Sequence, residues 1–275
     1  MKPLSRVLCA VNIDERSTQV LEHALAFARR YDAKLLILHA VSPLISYNHG
    51  ATERVALLRR LELRATAARV DARVEVQSGP ADEVILLHAK ARQVDLIVIG
   101  TSQRESRRGL SGWIAERVLR DAPCPTLVVP ESATDPTAMT ESVLCAVDFS
   151  SASKRVVEAA LRLSDDGGGR VTLLYVANGR DDAALGTLQS LIPPPKHGAV
   201  LAQVVVGHPA AEIVRAARTM NAQLLVIGAG RRSALGSRLF GPTAQLLRDA
   251  TYPVLAIPAV SAAGGDTERV HPLAA

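Results

Sequence analysis

The chain repeats itself, and self-similarity constrains a fold more than any other sequence feature. Val7-Leu8-Cys9-Ala10-Val11-Asn12 returns as Val143-Leu144-Cys145-Ala146-Val147-Asp148 at an offset of 136, and Ser17 and Glu22 return as Ser153 and Glu158. Further along, Leu96-Ile97-Val98-Ile99-Gly100 returns as Leu224-Leu225-Val226-Ile227-Gly228 at an offset of 128. Arg120-Asp121-Ala122 and Pro125 return at that same offset as Arg248-Asp249-Ala250 and Pro253. The two copies therefore share one order of elements, and the second is about eight residues shorter in its middle. The loss falls between Arg180 and Ala199, where Pro193-Pro194-Pro195 is incompatible with a helix. The first copy keeps a helical stretch there, predicted over 52–69.

Within each copy two periods alternate. Residues 6–11 form a short apolar run, as expected of a strand buried on both faces. Residues 17–31 place Val20, Leu21, Ala24, Leu25 and Ala28 on one helical face, with Ser17 as an N-cap. Strands are predicted at 34–41, 74–77, 96–99 and 126–129, and helices at 81–92 and 112–120. Strands alternating with helices predict an α/β domain, an open twisted parallel sheet with helices on both faces, built twice. Such a sheet binds ligands beyond the carboxyl ends of its strands, where the strand order reverses. The boundaries expected are 1–131 for the first domain, 132–141 for a polar, proline-bearing linker, 142–260 for the second domain and 261–275 for a disordered tail.

Composition narrows the class. Hydrophobic residues make up 48% and charged residues 21%, so a packed core is expected and global disorder is not. Aromatics are only 3%, so the core must be Val, Leu, Ile and Ala. No apolar run approaches the ~20 residues of a membrane span, and the opening residues lack a secretory pattern. Cys9, Cys124 and Cys145 are an odd number without framework spacing, which points to a reducing compartment and to small core residues rather than reactive thiols. A net charge of +5 suits an anionic small ligand, while the shortage of aromatics speaks against nucleic acid.

Two loops per copy lie at carboxyl ends of strands. The first is Asn12-Ile13-Asp14, matched by Asp148-Phe149-Ser150; its polar side chain can serve a ribose or base edge, or equally an ordinary Asx turn. The second runs from Gly100 through Ser102 and Gln103 to Gly112, matched by the stretch from Gly228 through Gly230 and Arg231 to Gly241 and Pro242. Glycine admits close backbone approach to a phosphate, a following helix offers free N–H groups, and Arg and Ser add neutralisation and hydrogen bonds.

Over nearly its full length the chain resembles a tandem universal stress protein. The resemblance is carried by Leu8-Cys9-Ala10-Val11 and Leu144-Cys145-Ala146-Val147-Asp148, by Leu36-Ile37-Leu38-His39-Ala40 and Leu173-Leu174-Tyr175-Val176, and by Gly79-Pro80-Ala81-Asp82-Glu83 and Gly207-His208-Pro209-Ala210-Ala211-Glu212. Asp95-Leu96-Ile97-Val98-Ile99-Gly100 and the run from Ala115 to Val129 complete it. It implies a Rossmann-like or flavodoxin-like five-stranded fold, a cytoplasmic stress-response role, pairing of the two domains and association into a homodimer, with no membrane partner. In one branch of the family it implies ATP, with Mg2+ as companion. That branch carries Gly-x-x-Gly, nine residues, then Gly-Ser or Gly-Thr. Copy one departs at Gln103, has eight residues before Gly112, places Trp113 after it, and has Asn12 for the family's acidic residue. Copy two keeps Asp148 and Gly228, has Arg231 for the second glycine, and reaches Gly241 followed by Pro242. The candidate nucleotide site is thus Asp148, Val176, Gly228, Gly230, Arg231, Gly241 and Pro242, with Val176 offering backbone contacts to the base. Asn12, Ala40, Gly100, Ser102, Gln103 and Gly112 form its degenerate counterpart.

No catalytic apparatus is expected. The seven histidines fall in neither a Gly-x-Ser-x-Gly elbow nor a His-Glu-x-x-His pair, no Cys/His cluster has metal spacing, and no P-loop is present. His23 and His88 belong to predicted helices and are read as structural. Three functions stay open: a non-catalytic nucleotide-binding stress module, a non-ATP-binding relative that acts as an interaction module, and a slow hydrolase or transferase without a nameable base.

Overall fold

The computed structural model describes residues 4–12, 17–41, 51–101, 113–133, 135–165, 168–193, 199–229, 246–247 and 250–259. The first half runs β1 (Arg6–Val11), α1 (Ser17–Arg30), β2 (Lys34–Val41), α2 (Ala51–Ala67), β3 (Ala72–Ser78), α3 (Ala81–Ala91), β4 (Leu96–Gly100), α4 (Trp113–Asp121) and β5 (Thr126–Val129). The second half runs β6 (Ser142–Val147), α5 (Ser153–Asp165), β7 (Arg170–Ala177), α6 (Ala184–Ser190), β8 (Val200–Val206), α7 (Pro209–Thr219), β9 (Leu224–Ala229) and β10 (Val254–Pro258). The shortened middle of the second copy is visible as a seven-residue α6 where the first copy has a seventeen-residue α2.

Each half is a parallel sheet, ordered β3-β2-β1-β4-β5 in the first and β8-β7-β6-β9-β10 in the second. The expected pair of five-stranded sheets is joined into one ten-stranded sheet, because β5 and β10 lie side by side and antiparallel. The register of that join is symmetric. Leu127 faces Leu255, its own counterpart at an offset of 128, while Thr126 faces Ala256 and Val128 faces Val254. The two copies therefore meet across a local two-fold axis, as the same surface of two identical subunits would. β5 is buried throughout and β10 from Val254 to Ile257, so the join removes two sheet edges at once.

Side chains alternate between the faces of the sheet, and each face carries one core that spans both halves. Val7, Cys9 and Val11 meet α1 together with Leu21 and Leu161, whereas Leu8 points to the opposite core with Ile85 and Ile213. The three cysteines are free and buried. Burial pushes the Cys9 and Cys145 thiols well above the usual range and takes Cys124 to about 12. The segment between the halves is exposed at Glu131, Ser132, Asp135, Thr137 and Glu141, and it is anchored by the buried Ala133, Met139 and Thr140, with a 3-10 turn over Ala138–Thr140. Arg30, at the end of α1, donates to Thr140 Oγ1 and to the Leu163 carbonyl, both at 3.1 Å, tying the first helix to the linker and to α5. The turns into α3 and α7 need their glycines, since Gly79 (φ +143°) and Gly207 (φ +154°) adopt a backbone that side chains rarely permit.

Candidate functional site

In each half the chain steps outward from the first strand to the second and third, then returns to the other side for the fourth. The strand order reverses between β1 and β4, and again between β6 and β9. A crevice opens at the carboxyl ends of such a pair. In the first half it is bounded by Asn12 and Gly100, since Ala10 is level with Ile99; in the second by Asp148 and Gly228, since Cys145 is level with Val226. The residues that the repeat singled out therefore converge at two equivalent places.

The second crevice is built on a carboxylate. Asp148 follows the last residue of β6, remains exposed, and accepts the Ser150 N–H at 3.0 Å and the Ser153 hydroxyl at 3.2 Å through Oδ1. Partial burial opposes ionisation, yet hydrogen bonds from the Ser150 hydroxyl and N–H, from Ser153 and from its own N–H outweigh it and hold the carboxyl below its ordinary value. Phe149 takes a left-handed backbone (φ +56°), and its ring packs against Tyr175 with centroids 4.1 Å apart. That conformation is costly for a bulky residue and marks a turn whose shape is imposed by its surroundings.

Val176 lies on the same rim. Val171 N–H donates to the Ala199 carbonyl and Gly207 N–H to the Ala177 carbonyl, so the odd-numbered residues of β7 turn their main-chain groups to β8. Val176 turns its own toward the β6 side, one residue past the last rung, where Val147 faces Tyr175. The fourth wall carries a cation. Arg155, in the first turn of α5, donates to the carbonyls of Pro258 (2.8 Å) and Ala259 and so holds the end of β10 at the crevice.

The first crevice has the same frame and different chemistry. Asn12 stands for Asp148, and the hydroxyl of Ser17 spends its bonds on the Asn12 main chain, accepting from its N–H at 3.0 Å and donating to its carbonyl. His39 stands for Tyr175; it is buried, and its Nδ1 lies 3.0 Å from the Val11 carbonyl. Gln19 stands for Arg155. Ala40 is half-buried at the level of Val176. Among the described residues, the buried hydroxyl of Thr101, directly after Gly100, has no hydrogen-bond partner.

The two glycines differ as well. A Cβ on Gly100 would come within 2.9 Å of Val20 Cγ2, whereas on Gly228 it would meet Val156 Cγ2 at an ordinary 3.6 Å. Gly100 is thus required by the packing of α1 on the sheet, whereas among the described residues nothing crowds a side chain at Gly228. Ser102, Gln103 and Gly112, and likewise Gly230, Arg231, Gly241 and Pro242, lie outside the described residues, as does the loop that each set forms. Tyr175 and Arg155 stand at the site although neither belongs to the two candidate loops read from the sequence. The Asp148-Phe149-Ser150 spacing, with Ser153 matched to Ser17, held the signal for the serines.

His23 and His88 are on helices, as expected. His23 is buried with Nδ1 2.8 Å from the Gln19 carbonyl, and His88 lies 3.7 Å from Glu75. Among the described residues no group of three or more His, Cys, Asp or Glu is placed to hold a metal ion, and no helix is long and apolar enough to cross a membrane.

A sequence profile described as the universal stress protein family matches residues 3–130 and again 139–258. A universal stress protein of Methanocaldococcus jannaschii is 30% identical over 127 residues, covering 41% of this chain and 74% of the relative. Universal stress protein A homolog 2 of Coxiella burnetii is 32% identical over 143 residues, covering 47% and 97%. Among solved structures, a universal stress protein from Archaeoglobus fulgidus superposes with a TM-score of 0.78 at 18% identity, over 94% of this chain and 99% of that one.

Proposed function

Since the chain belongs to the universal stress protein family, with two of its domains in tandem, we propose that it is a non-catalytic stress-response module that binds ATP or a related nucleotide in its second half. The observation that carries this reading is the asymmetry of two crevices built on one frame. Asp148, held ionised and exposed by Ser150 and Ser153, offers an acceptor suited to ribose hydroxyls. Val176 turns main-chain groups toward the place where a base edge would lie. Arg155 adds positive charge on the rim nearest β9 and β10. The first crevice has Asn12, His39 and Gln19 at those positions and acts as the structural partner. Gly230, Arg231, Gly241 and Pro242 belong to the phosphate side of the same reading, and Mg2+, where present, would accompany the phosphates. The module works in the cytoplasm in this reading, where the three free thiols stay reduced.

A second reading has its own observation. The Asp148 carboxylate already serves the turn into α5, as an Asx turn needs no ligand to explain it. On that reading the chain is a ligand-free interaction module. Mass spectrometry of small molecules released from the purified, denatured protein separates the two. A nucleotide recovered from the wild-type protein and lost from Asp148→Ala supports binding. No nucleotide recovered, and no thermal shift with ATP, supports the interaction module. Steady phosphate release that one side-chain substitution abolishes would contradict the non-catalytic part.

A further inference from the structure

The ten-stranded sheet ends in β3 on one side and β8 on the other. The two edges are equivalent positions of the repeat, and they are protected very differently. Along β3, the face toward α3 carries Arg73, Glu75 and Gln77. Glu75 is bound by Arg73 at 3.0 Å and by Arg92 of the following segment at 2.7 Å. At the matching places of the second half stand Leu201, Gln203 and Val205, and Met220 replaces Arg92. Leu201 is 62% exposed. The charges that ordinarily discourage strand addition at an edge are present on β3 and missing from β8.

Among the described residues, the backbone of β8 is open in a definite pattern. Because the Val171 N–H donates to the Ala199 carbonyl and the Gly207 N–H to the Ala177 carbonyl, odd residues from 199 to 207 bond to β7. Val200, Ala202, Val204 and Val206 therefore present their N–H and C=O groups outward. An antiparallel partner centred on Gln203 uses all four. Val200 then exchanges hydrogen bonds with Val206 of the other strand, and Ala202 with Val204. Leu201 meets Val205, and Gln203 meets Gln203, in the close non-bonded pairs. No charged residue occurs anywhere in β8. The same operation on β3, centred on Glu75, would oppose Glu75 to Glu75 at the closest spacing, where like charges are destabilising.

We propose that β8 is the docking edge for a second copy of this chain, pairing with its own β8 across a two-fold axis at Gln203. The sequence of β8 is complementary to itself, and the chain already joins sheets in this manner at β5 and β10, around Leu127 and Leu255. A two-fold contact closes on itself and leaves only the charged β3 edges at the ends of the assembly.

The test is the solution mass of the full chain by light scattering, with two substitutions on β8 and one control. Wild type is expected at twice the 29.2 kDa chain mass, dissociating on dilution. Val204→Pro removes an outward N–H without touching the internal ladder, and Gln203→Lys sets two ammonium groups against each other on the axis. Each is expected to give the single-chain mass at concentrations where wild type is dimeric, with an unchanged circular dichroism spectrum. Val76→Pro, the equivalent change on β3, is expected to leave the dimer intact. If Val204→Pro unfolds the protein, Gln203→Lys, which alters only an exposed side chain, decides alone. A wild-type chain of single mass at every concentration overturns the proposal. So does a dimer that survives in a folded Gln203→Lys protein, or one that Val76→Pro dissolves as readily.

Discussion

Gly100 and Gly228 occupy the same position of the two copies, and the structure predicts opposite responses to alanine. At Gly100 the added Cβ would sit 2.9 Å from Val20 Cγ2. Carbon atoms pack best at about 3.5–4.0 Å, so the pair must separate by roughly 0.6 Å or more. Val20 is 6% exposed and β-branched, with little freedom to turn away. Forcing α1 outward or Val20 off its rotamer costs about 1–3 kcal/mol. Against this stands the stiffer unfolded chain that alanine brings, which favours folding by about 0.4–1 kcal/mol. Gly100→Ala is expected to lose about 1 kcal/mol net. At Gly228 the new methyl finds Val156 Cγ2 at 3.6 Å, an ordinary contact, and only the favourable part remains. Gly228→Ala is expected to be neutral or to gain up to about 1 kcal/mol. In a chain of this size the pair should differ in melting temperature by roughly 3–8 °C. Thermal and urea unfolding measure it, and the double variant Gly100→Ala with Val20→Ala sharpens it. Removing the obstructing methyl should return about 1 kcal/mol as a non-additive coupling. A Gly100→Ala protein as stable as Gly228→Ala, or a simply additive double variant, would show that Val20 does not set the difference.

Three further outcomes follow from buried groups. Asp82 is 5% exposed and paired with Arg117 at 2.8 Å between α3 and α4. Asp82→Ala should cost about 1–3 kcal/mol, below the fully buried range because Arg117 is partly solvated, and a double-mutant cycle with Arg117→Ala should show coupling. His23 is kept neutral first by burial, with the Gln19 carbonyl and the Asp135 and Glu22 charges acting the other way, so its folded pKa lies below the ordinary 6.5. Its contribution is fully present above 6.5 and is lost as pH falls from there toward the folded value; His23→Phe should flatten the slope of melting temperature against pH in that window. Because burial raises all three thiols, a thiol reagent at mildly alkaline pH should label none of them rapidly in the native protein and three after denaturation.

Most of the framework was legible in the chain. The expected strands and helices lie within one or two residues of the observed ends, because unbroken apolar runs such as Val7 to Val11 mark doubly buried strands and the Val20–Leu21–Ala24–Leu25 face carries a clean period of 3.6. The fusion of the two sheets was not foreseen. Thr126 to Val129 and Val254 to Pro258 look like any doubly buried strand, and periodicity does not say what lies beside a strand. Their order in the fold held the clue, since a five-stranded sheet would leave each as an uncharged edge. At the site, composition could place Asp148 and Gly228 together, because both end strands that flank the reversal. It could not separate a glycine demanded by Val20 from one that is not, because the difference is a contact between residues 80 positions apart. Arg155 and Tyr175 were likewise invisible: each acts through a neighbour distant in sequence, Pro258 for one and Phe149 for the other.

Titration calorimetry with ATP counts directly how many of the two crevices take a nucleotide. One nucleotide per chain is expected, retained in Asn12→Ala and lost in Asp148→Ala while the folded spectrum is preserved. Two nucleotides per chain, none at millimolar ATP, or binding that follows Asn12 instead of Asp148 would contradict binding at the second crevice alone.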